Sequence, residues 1–169
     1  MQKKERGFTL IEIMVVVVIV AVLMGAVTLS FPKTGDDLLQ EQADRFTALL
    51  ALSQDEAILQ SRDLALAIEE KNYSFFARSE NENEEDQWQA YSSAPLVPRE
   101  LIGGVEAELL LDGISIKLPK PDKVKPQVLI LSSGEITPFT LVLAYPQKSS
   151  MTIKVNAVGE IDRVFKQEE

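Results

Sequence analysis

The chain of 169 residues contains no histidine and no cysteine. Without histidine it lacks the commonest general base, every Ser-His triad and the usual zinc ligands. Without cysteine it has no disulfides, thiolate nucleophiles or cysteine-based metal sites. Neither GxxxxGK[ST] nor GxGxxG occurs, so no phosphate-cradling loop is predicted. The sequence therefore indicates a protein that is not an enzyme, with no catalytic residues, cofactor or bound metal.

Basic residues are also few, with 17 Lys and Arg against 26 Asp and Glu and a formal charge of −9. Nucleic acids are bound largely by Lys and Arg that displace counterions, so no nucleic-acid partner is expected. The acidic run at residues 80–86 offers oxygen ligands to calcium, but it lacks the glycine and the ligand spacing of an EF-hand. We interpret this run as a hydrated loop.

One long apolar run is present, at residues 8–31. As a helix it would extend about 36 Å, enough to cross a hydrocarbon core of about 30 Å. Lys3, Lys4 and Arg6 precede it, and the positive-inside rule places such a basic segment in the cytoplasm. We predict that residues 8–31 form a single transmembrane helix in the inner membrane and that a periplasmic domain follows it.

A carboxylate, Glu12, lies near the start of this apolar run. A charge inside the bilayer costs at least about 2.5–3.5 kcal/mol, so Glu12 requires a reason. An ordinary secretory signal gives none, because its apolar stretch is only about 7–15 residues long. A plain single-pass anchor, whose Glu12 reaches the membrane interface, is one alternative.

The segment Gly7-Phe8-Thr9-Leu10-Ile11-Glu12 resembles the type IV pilin signature. The resemblance implies that a leader, residues 1–7, is cut between Gly7 and Phe8 by a prepilin peptidase and that Phe8 is N-methylated. It also implies that Glu12 guides assembly. An unpaired carboxylate is costly in an apolar helix bundle, and the new amino group of a neighbouring subunit would neutralise it. Pairing of Glu12 with its own terminal amine is an alternative, and the two can coexist at different stages.

The pattern after the apolar run predicts a domain over residues 36–169. Pro32 indicates a kink or linker at residues 32–35. Thr34 and Asp37 have the spacing of a capping box at the start of an amphipathic helix over residues 36–61. The apolar positions that recur at helical spacing are Leu39, Ala43, Phe46, Leu50 and Ala57.

From residue 64 the apolar residues recur at every second position, which is typical of strands and predicts a β-rich region over residues 64–166. A hairpin is predicted at residues 64–77, with its turn at residues 70–72. Pro138 is expected at the start of an edge strand, where no N–H is needed. A long helix followed by short antiparallel strands predicts the α+β class. Further strands are predicted at residues 88–91, 105–111, 114–118, 128–131, 139–145, 151–157 and 161–165.

Residues 129–141 resemble the minor pseudopilin H family of the type II secretion system, with a strand, a Ser-Gly-Glu turn, Thr-Pro-Phe and a second strand. The resemblance covers nearly the whole chain and is weakest at residues 79–87 and 118–126. The other similar pieces are Glu56-Ala57-Ile58-Leu59, Tyr73-Ser74-Phe75, Trp88-Gln89 and Val155-Asn156-Ala157-Val158-Gly159.

This resemblance implies a pilin-like fold, in which a long amino-terminal helix packs on an antiparallel β-sandwich. It implies a structural subunit near the tip of a periplasmic pseudopilus, which helps to export folded proteins across the outer membrane. The implied partners are the other minor pseudopilins of the tip, the major pseudopilin, the prepilin peptidase and the inner-membrane assembly platform.

Two other functions remain possible from sequence. The first is a FimT-like minor pilin of a type IV pilus, some of which take up DNA, although the chain offers little of the basic surface that DNA requires. The second is a membrane-tethered periplasmic binding module that never polymerises. Failure of cleavage by prepilin peptidase would favour the second alternative.

Overall fold

A computed structural model describes residues 8–27, 34–79, 88–119, 125–145 and 149–167, with the side chains of residues 23–27 left undescribed. The chain divides into two compact units, Met1–Lys33 and Thr34–Glu169. Three sequence-based predictions lie outside the described residues: the leader at residues 1–7, the proline of the linker and the acidic run at residues 80–86.

The first unit contains helix α1, Leu10–Val27, with Glu12 in its first turn. Within the described part of the chain, no helix is both long enough and apolar enough to cross a membrane. The predicted span over residues 8–31 also includes residues 28–31, which are not described.

The second unit begins with helix α2, Gly35–Gln60. Thr34 and Asp37 form the predicted capping box, and Ser61 ends the helix in a left-handed conformation. All five predicted apolar positions are buried, which confirms the amphipathic helix. Two polar residues, Gln42 and Ser53, are buried on the same helix. The Ser53 hydroxyl donates a hydrogen bond to the Leu50 carbonyl oxygen at 2.7 Å.

Ten strands among the described residues form two antiparallel sheets. The first sheet has the order β3-β2-β1-β7, with β4 also pairing with β2, and the second has the order β10-β9-β8-β5-β6. The strands are β1 Leu64–Ile68, β2 Asn72–Arg78, β3 Trp88–Tyr91, β4 Arg99–Glu100, β5 Glu106–Leu111, β6 Ile114–Ile116, β7 Val128–Ile130, β8 Phe139–Tyr145, β9 Ser149–Val155 and β10 Ile161–Gln167.

The predicted hairpin is confirmed, because β1 and β2 pair antiparallel with Leu64 opposite Ala77. The prediction of an edge strand after Pro138 is wrong. Strand β8 lies between β9 and β5, and Pro138 precedes its first paired residue, so the missing N–H breaks no ladder bond. The short strand β4 was not predicted, since two residues flanked by a proline carry almost no periodic signal.

Phe46 of α2 connects the helix with both sheets. Its ring packs edge-on against Tyr73 of the first sheet, with centroids 5.3 Å apart, and against Phe139 of the second sheet at 6.3 Å. All three side chains are at least nine-tenths buried. Burial of apolar side chains from a helix and two sheets in one core confirms the predicted α+β class, with a helix packed on antiparallel sheets.

Candidate assembly site

Glu12 participates in a hydrogen-bonded cap at the start of α1. The Glu12 backbone N–H donates to Thr9 Oγ1 at 3.3 Å, and the Thr9 backbone N–H donates to Glu12 Oε2 at 3.5 Å. This reciprocal pair is a capping box, and it follows from the Thr-x-x-Glu spacing. A carboxylate in the first turn is also favoured by the helix dipole. Glu12 therefore stabilises the beginning of its own helix, a role that we did not predict although the spacing signals it.

The cap also determines where the carboxylate lies. It sits against the backbone of residue 9, one residue beyond Phe8, the predicted new amino terminus. A carboxylate has about four lone-pair sites, so one backbone bond leaves capacity for a cation. Gly7, the other predicted cleavage residue, is not among the described residues, and Phe8 is exposed.

Gln54 of α2 joins two turns from distant parts of the chain. Its Nε2 donates to the carbonyl oxygens of Gly134 at 2.5 Å and Val158 at 3.2 Å. Gly134 and Gly159 have φ of 91° and 83°, in the left-handed region that favours glycine. A side chain on Gly159 would also collide with the Gln54 amide. Two of the family-like segments thus meet at the carboxyl-terminal half of α2.

Replacing Gln54 with alanine is expected to lower the free energy of unfolding by about 1–2 kcal/mol, since two hydrogen bonds to turn carbonyls are lost. Denaturant titration measures this change. Gln40→Ala is the matched control, because Gln40 is exposed on the same helix and its amide bonds the exposed Asp44 one turn away. That variant should change stability by less than about 0.5 kcal/mol. Equal transition midpoints for both variants would show that the bridge is not stabilising.

Three exposed apolar residues belong to the last turn of α2 and to one of the turns that Gln54 binds: Ile58, Leu59 and Val158, with 47%, 80% and 64% of their surface accessible. The Ile58 side chain lies against Gly134, and Gln54 binds the Val158 carbonyl, so both turns adjoin the end of the helix. We call these three residues the α2-end surface. Exposed apolar patches mark sites of protein contact, whereas single exposed apolar residues are ordinary.

Asp63, which follows the end of α2, binds the backbone of the turn at Ser132. Its Oδ1 accepts a hydrogen bond from the Ser132 backbone N–H at 2.9 Å, and its Oδ2 lies 3.3 Å from Arg78 Nη1. The Ser132 N–H lowers the pKa of Asp63, burial opposes this change, and Arg78 lowers the pKa further. The ionised carboxylate therefore stabilises the junction between α2, β2 and the turn.

The lowered pKa predicts a pH-dependent contribution to stability. Because the folded-state pKa lies below the unfolded value of about 3.9, the stabilisation is complete above about pH 4–5 and is lost as the pH falls through the folded-state pKa. Asp63→Asn should thus be less stable than the original chain by about 1–2 kcal/mol at pH 7, and the difference should shrink below about pH 4.

Denaturant titrations at a series of pH values measure this difference. Glu108→Gln is the control, because Glu108 is an exposed carboxylate on β5 whose removal should change stability by less than about 0.5 kcal/mol throughout. A deficit of Asp63→Asn that stays constant down to about pH 2 would contradict the assignment.

Family models match the amino-terminal segment and, separately, most of the second unit. Residues 2–28 match the model described as Prokaryotic N-terminal methylation motif, and residues 42–159 match the model described as Type II transport protein GspH. The chain belongs to the GspH family. Glu12 falls within the methylation motif, whereas Gln54, Asp63 and both turns fall within the GspH match.

Curated relatives are similar to this chain over most of its length. Type II secretion system protein H of Pseudomonas aeruginosa is 36% identical over 167 residues, which cover 93% of each chain. The protein of the same name from Klebsiella michiganensis is 29% identical and covers 94% of each chain. A crystal structure of the minor pseudopilin EpsH from Vibrio cholerae has a TM-score of 0.63 at 22% identity, covering 78% of this chain and 98% of that one, which shows a common fold.

Membership confirms the resemblance predicted from residues 129–141. A GspH-family chain is a minor pseudopilin, a structural subunit of the type II secretion system. Together with the methylation motif, membership indicates a membrane-anchored subunit of a periplasmic pseudopilus, which acts with other pseudopilins.

Proposed function

We propose that this minor pseudopilin is made as a precursor, cut between Gly7 and Phe8 by a prepilin peptidase and N-methylated on Phe8. Before assembly, residues 8–31 cross the inner membrane once, and residues 36–169 lie in the periplasm. The observation that carries this proposal is the unbroken sequence from Gly7 to Glu12 running directly into the apolar helix α1.

Mass spectrometry of the chain purified from membranes of its native host tests the processing step. The expected product begins with N-methylphenylalanine at position 8. Cells that lack the prepilin peptidase provide the control, since their product should keep residues 1–7. A chain from normal cells that retains the leader, or begins at another residue, contradicts the proposal and supports a membrane-tethered module that never polymerises.

Glu12 is proposed to control assembly. In an apolar bundle of α1 helices an unpaired carboxylate is costly, and the amino group of Phe8 on a neighbouring subunit supplies the opposite charge. This attraction sets the axial register and draws the subunit out of the bilayer. The cap with Thr9 holds the carboxylate at the amino-terminal end of α1, where such a pair must form.

The subunit is further proposed to lie near the pseudopilus tip, between the other minor pseudopilins and the major pseudopilin. Helix α2 has 26 residues and is thus about 39 Å long. The chain enters this helix from the anchor at its amino-terminal end, and the α2-end surface lies at the opposite end. We infer that this surface contacts another pseudopilin of the assembly.

Site-specific photocrosslinking tests this contact. A photoreactive residue at Leu59 or Val158 should crosslink to another pseudopilin in assembling cells. Ile114 of β6 is a suitable control, because it is 70% exposed and belongs to an edge strand of the second sheet. Equal crosslinking from Ile114 and Leu59 would argue against a specific role for the α2-end surface.

A further inference from the structure

Four buried polar atoms that lack a hydrogen-bond partner gather around one tyrosine. They are Gln42 Nε2, Arg45 Nε, Tyr73 Oη and Arg99 Nε, which we call the donor cluster. Among the described residues, one other buried side-chain atom, Ser149 Oγ, also lacks a partner. Folded proteins leave few such atoms unsatisfied, so four in one place require an explanation.

The elements of the second unit bring the cluster together. Gln42 and Arg45 lie one turn apart on α2, and Tyr73 of β2 is paired in register with Arg99 of β4. The Tyr73 ring is fixed edge-on against Phe46 in the core. Burial raises the pKa of Tyr73 and outweighs the opposing effect of the nearby Arg45 and Arg99, so its hydroxyl is protonated at neutral pH and can donate.

All four atoms can donate hydrogen bonds. Gln42 Oε1 accepts a bond from Arg45 Nη2, and an arginine has no acceptor, so the orientation of this amide is determined and its Nε2 is a free donor. Gln42 and Tyr73 are 0% and 2% exposed. The Tyr73 oxygen is the acceptor within this cluster, and the Arg45 side chain already lies within hydrogen-bond reach of it, so the cluster presents more donors than acceptors.

The two arginines also lack an anionic partner. Arg45 donates to the Glu100 carbonyl oxygen at 2.9 Å, and Arg99 donates to the Pro95 carbonyl oxygen at 3.2 Å. Neither forms an ion pair with an acidic side chain of the described residues, although the chain has 26 such residues. Both arginines are partly exposed as residues, and the hydrogen bonds of their Nη2 atoms lie at the surface, which leaves a route from solvent.

We propose that the donor cluster is a binding site for an oxoanion group, either a free tetrahedral anion or a carboxylate carried by a neighbouring subunit. Such a ligand accepts several hydrogen bonds and neutralises both arginines, and guanidinium groups match its geometry. Ordered water is the competing occupant. Water could satisfy the donors, but it would leave both positive charges without a counterion.

Nuclear magnetic resonance on the full-length chain in nonionic detergent tests the proposal. Sodium sulfate and sodium acetate are titrated separately, with ionic strength held constant by sodium chloride. The arginine Nε–H signals of Arg45 and Arg99, assigned from the single Arg→Gln variants, should shift with a saturable dependence on the anion. Stronger binding of acetate indicates a carboxylate as the natural ligand, and stronger binding of sulfate indicates a free tetrahedral anion.

Variants separate binding from a merely structural role. Arg99→Gln should weaken anion binding by about tenfold or more, and Tyr73→Phe, which deletes one hydroxyl, by about threefold to tenfold. Arg163→Gln is the control for Arg99→Gln, because it also removes one positive charge, from a surface ion pair with Asp44. It should leave the affinity for both anions unchanged. The proposal is overturned if neither anion produces a saturable shift, or if Arg163→Gln weakens binding as much as Arg99→Gln does.

Discussion

Glu12→Val is expected to leave cleavage after Gly7 intact and to lower secretion of folded proteins by about tenfold or more. Removing one partner of a buried charge pair costs about 2–5 kcal/mol, because the other charge, which in the proposed pair is the amino group of Phe8, is left unneutralised. Processing is read by mass spectrometry, and secretion by the amount of exported protein outside the cell. Normal secretion with normal processing would remove the proposed role of this carboxylate.

Glu12→Gln separates the charge from the helix cap. Glutamine at this position can still complete a capping box with Thr9, but it carries no charge. If electrostatic attraction drives assembly, Glu12→Gln should secrete as poorly as Glu12→Val. If the main function of Glu12 is to cap α1, Glu12→Gln should secrete almost normally, and the charge-pair mechanism would be wrong.

Phe46→Ala is expected to produce the largest loss of stability. Truncating a fully buried phenylalanine costs about 3–5 kcal/mol, out of the about 5–15 kcal/mol that stabilise a typical domain. The loss should be near the upper end, because Phe46 packs against both sheets and neither can close the cavity alone. The melting temperature should fall by about 10–20 °C.

Circular dichroism during denaturant and thermal unfolding measures this loss. Leu59→Ala is the control on the same helix, because Leu59 is 80% exposed and its truncation should cost less than about 0.5 kcal/mol. Similar costs for the two variants would mean that the core is not organised around Phe46.

The family and much of the secondary structure could be predicted from local patterns. The segment from Gly7 to Glu12 indicated a pilin-like amino terminus, and the methylation-motif match covers the same residues. The Thr34 cap, the buried face of α2 and the β1–β2 hairpin were also predicted, because each depends on residues close in sequence. Strand ends were predicted less well. Strand β9 is Ser149–Val155, two residues earlier at each end than predicted, because several neighbouring residues fit a strand equally well.

Apart from the local cap of Glu12 with Thr9, the contacts that were not predicted join distant segments. Gln54 contacts Gly134 and Val158, which are 80 and 104 residues away along the chain. Gln54 is one of many polar residues on an amphipathic helix, so nothing in the sequence indicated that it binds two turns. Arg99 belongs to a strand too short to predict, and only its pairing with β2 brings it beside Tyr73.

By itself the sequence determined the α+β class and the position of the main helix, because these depend on composition and on periodicities within about ten residues. The family followed from the resemblance of two short motifs, residues 7–12 and 129–141. Tertiary structure decided which turns meet at the end of α2, that β8 is an interior strand, and that two arginines without acidic partners among the described residues converge on one buried hydroxyl. Those contacts depend on how the helix and the two sheets pack together, and no local spacing encodes that packing.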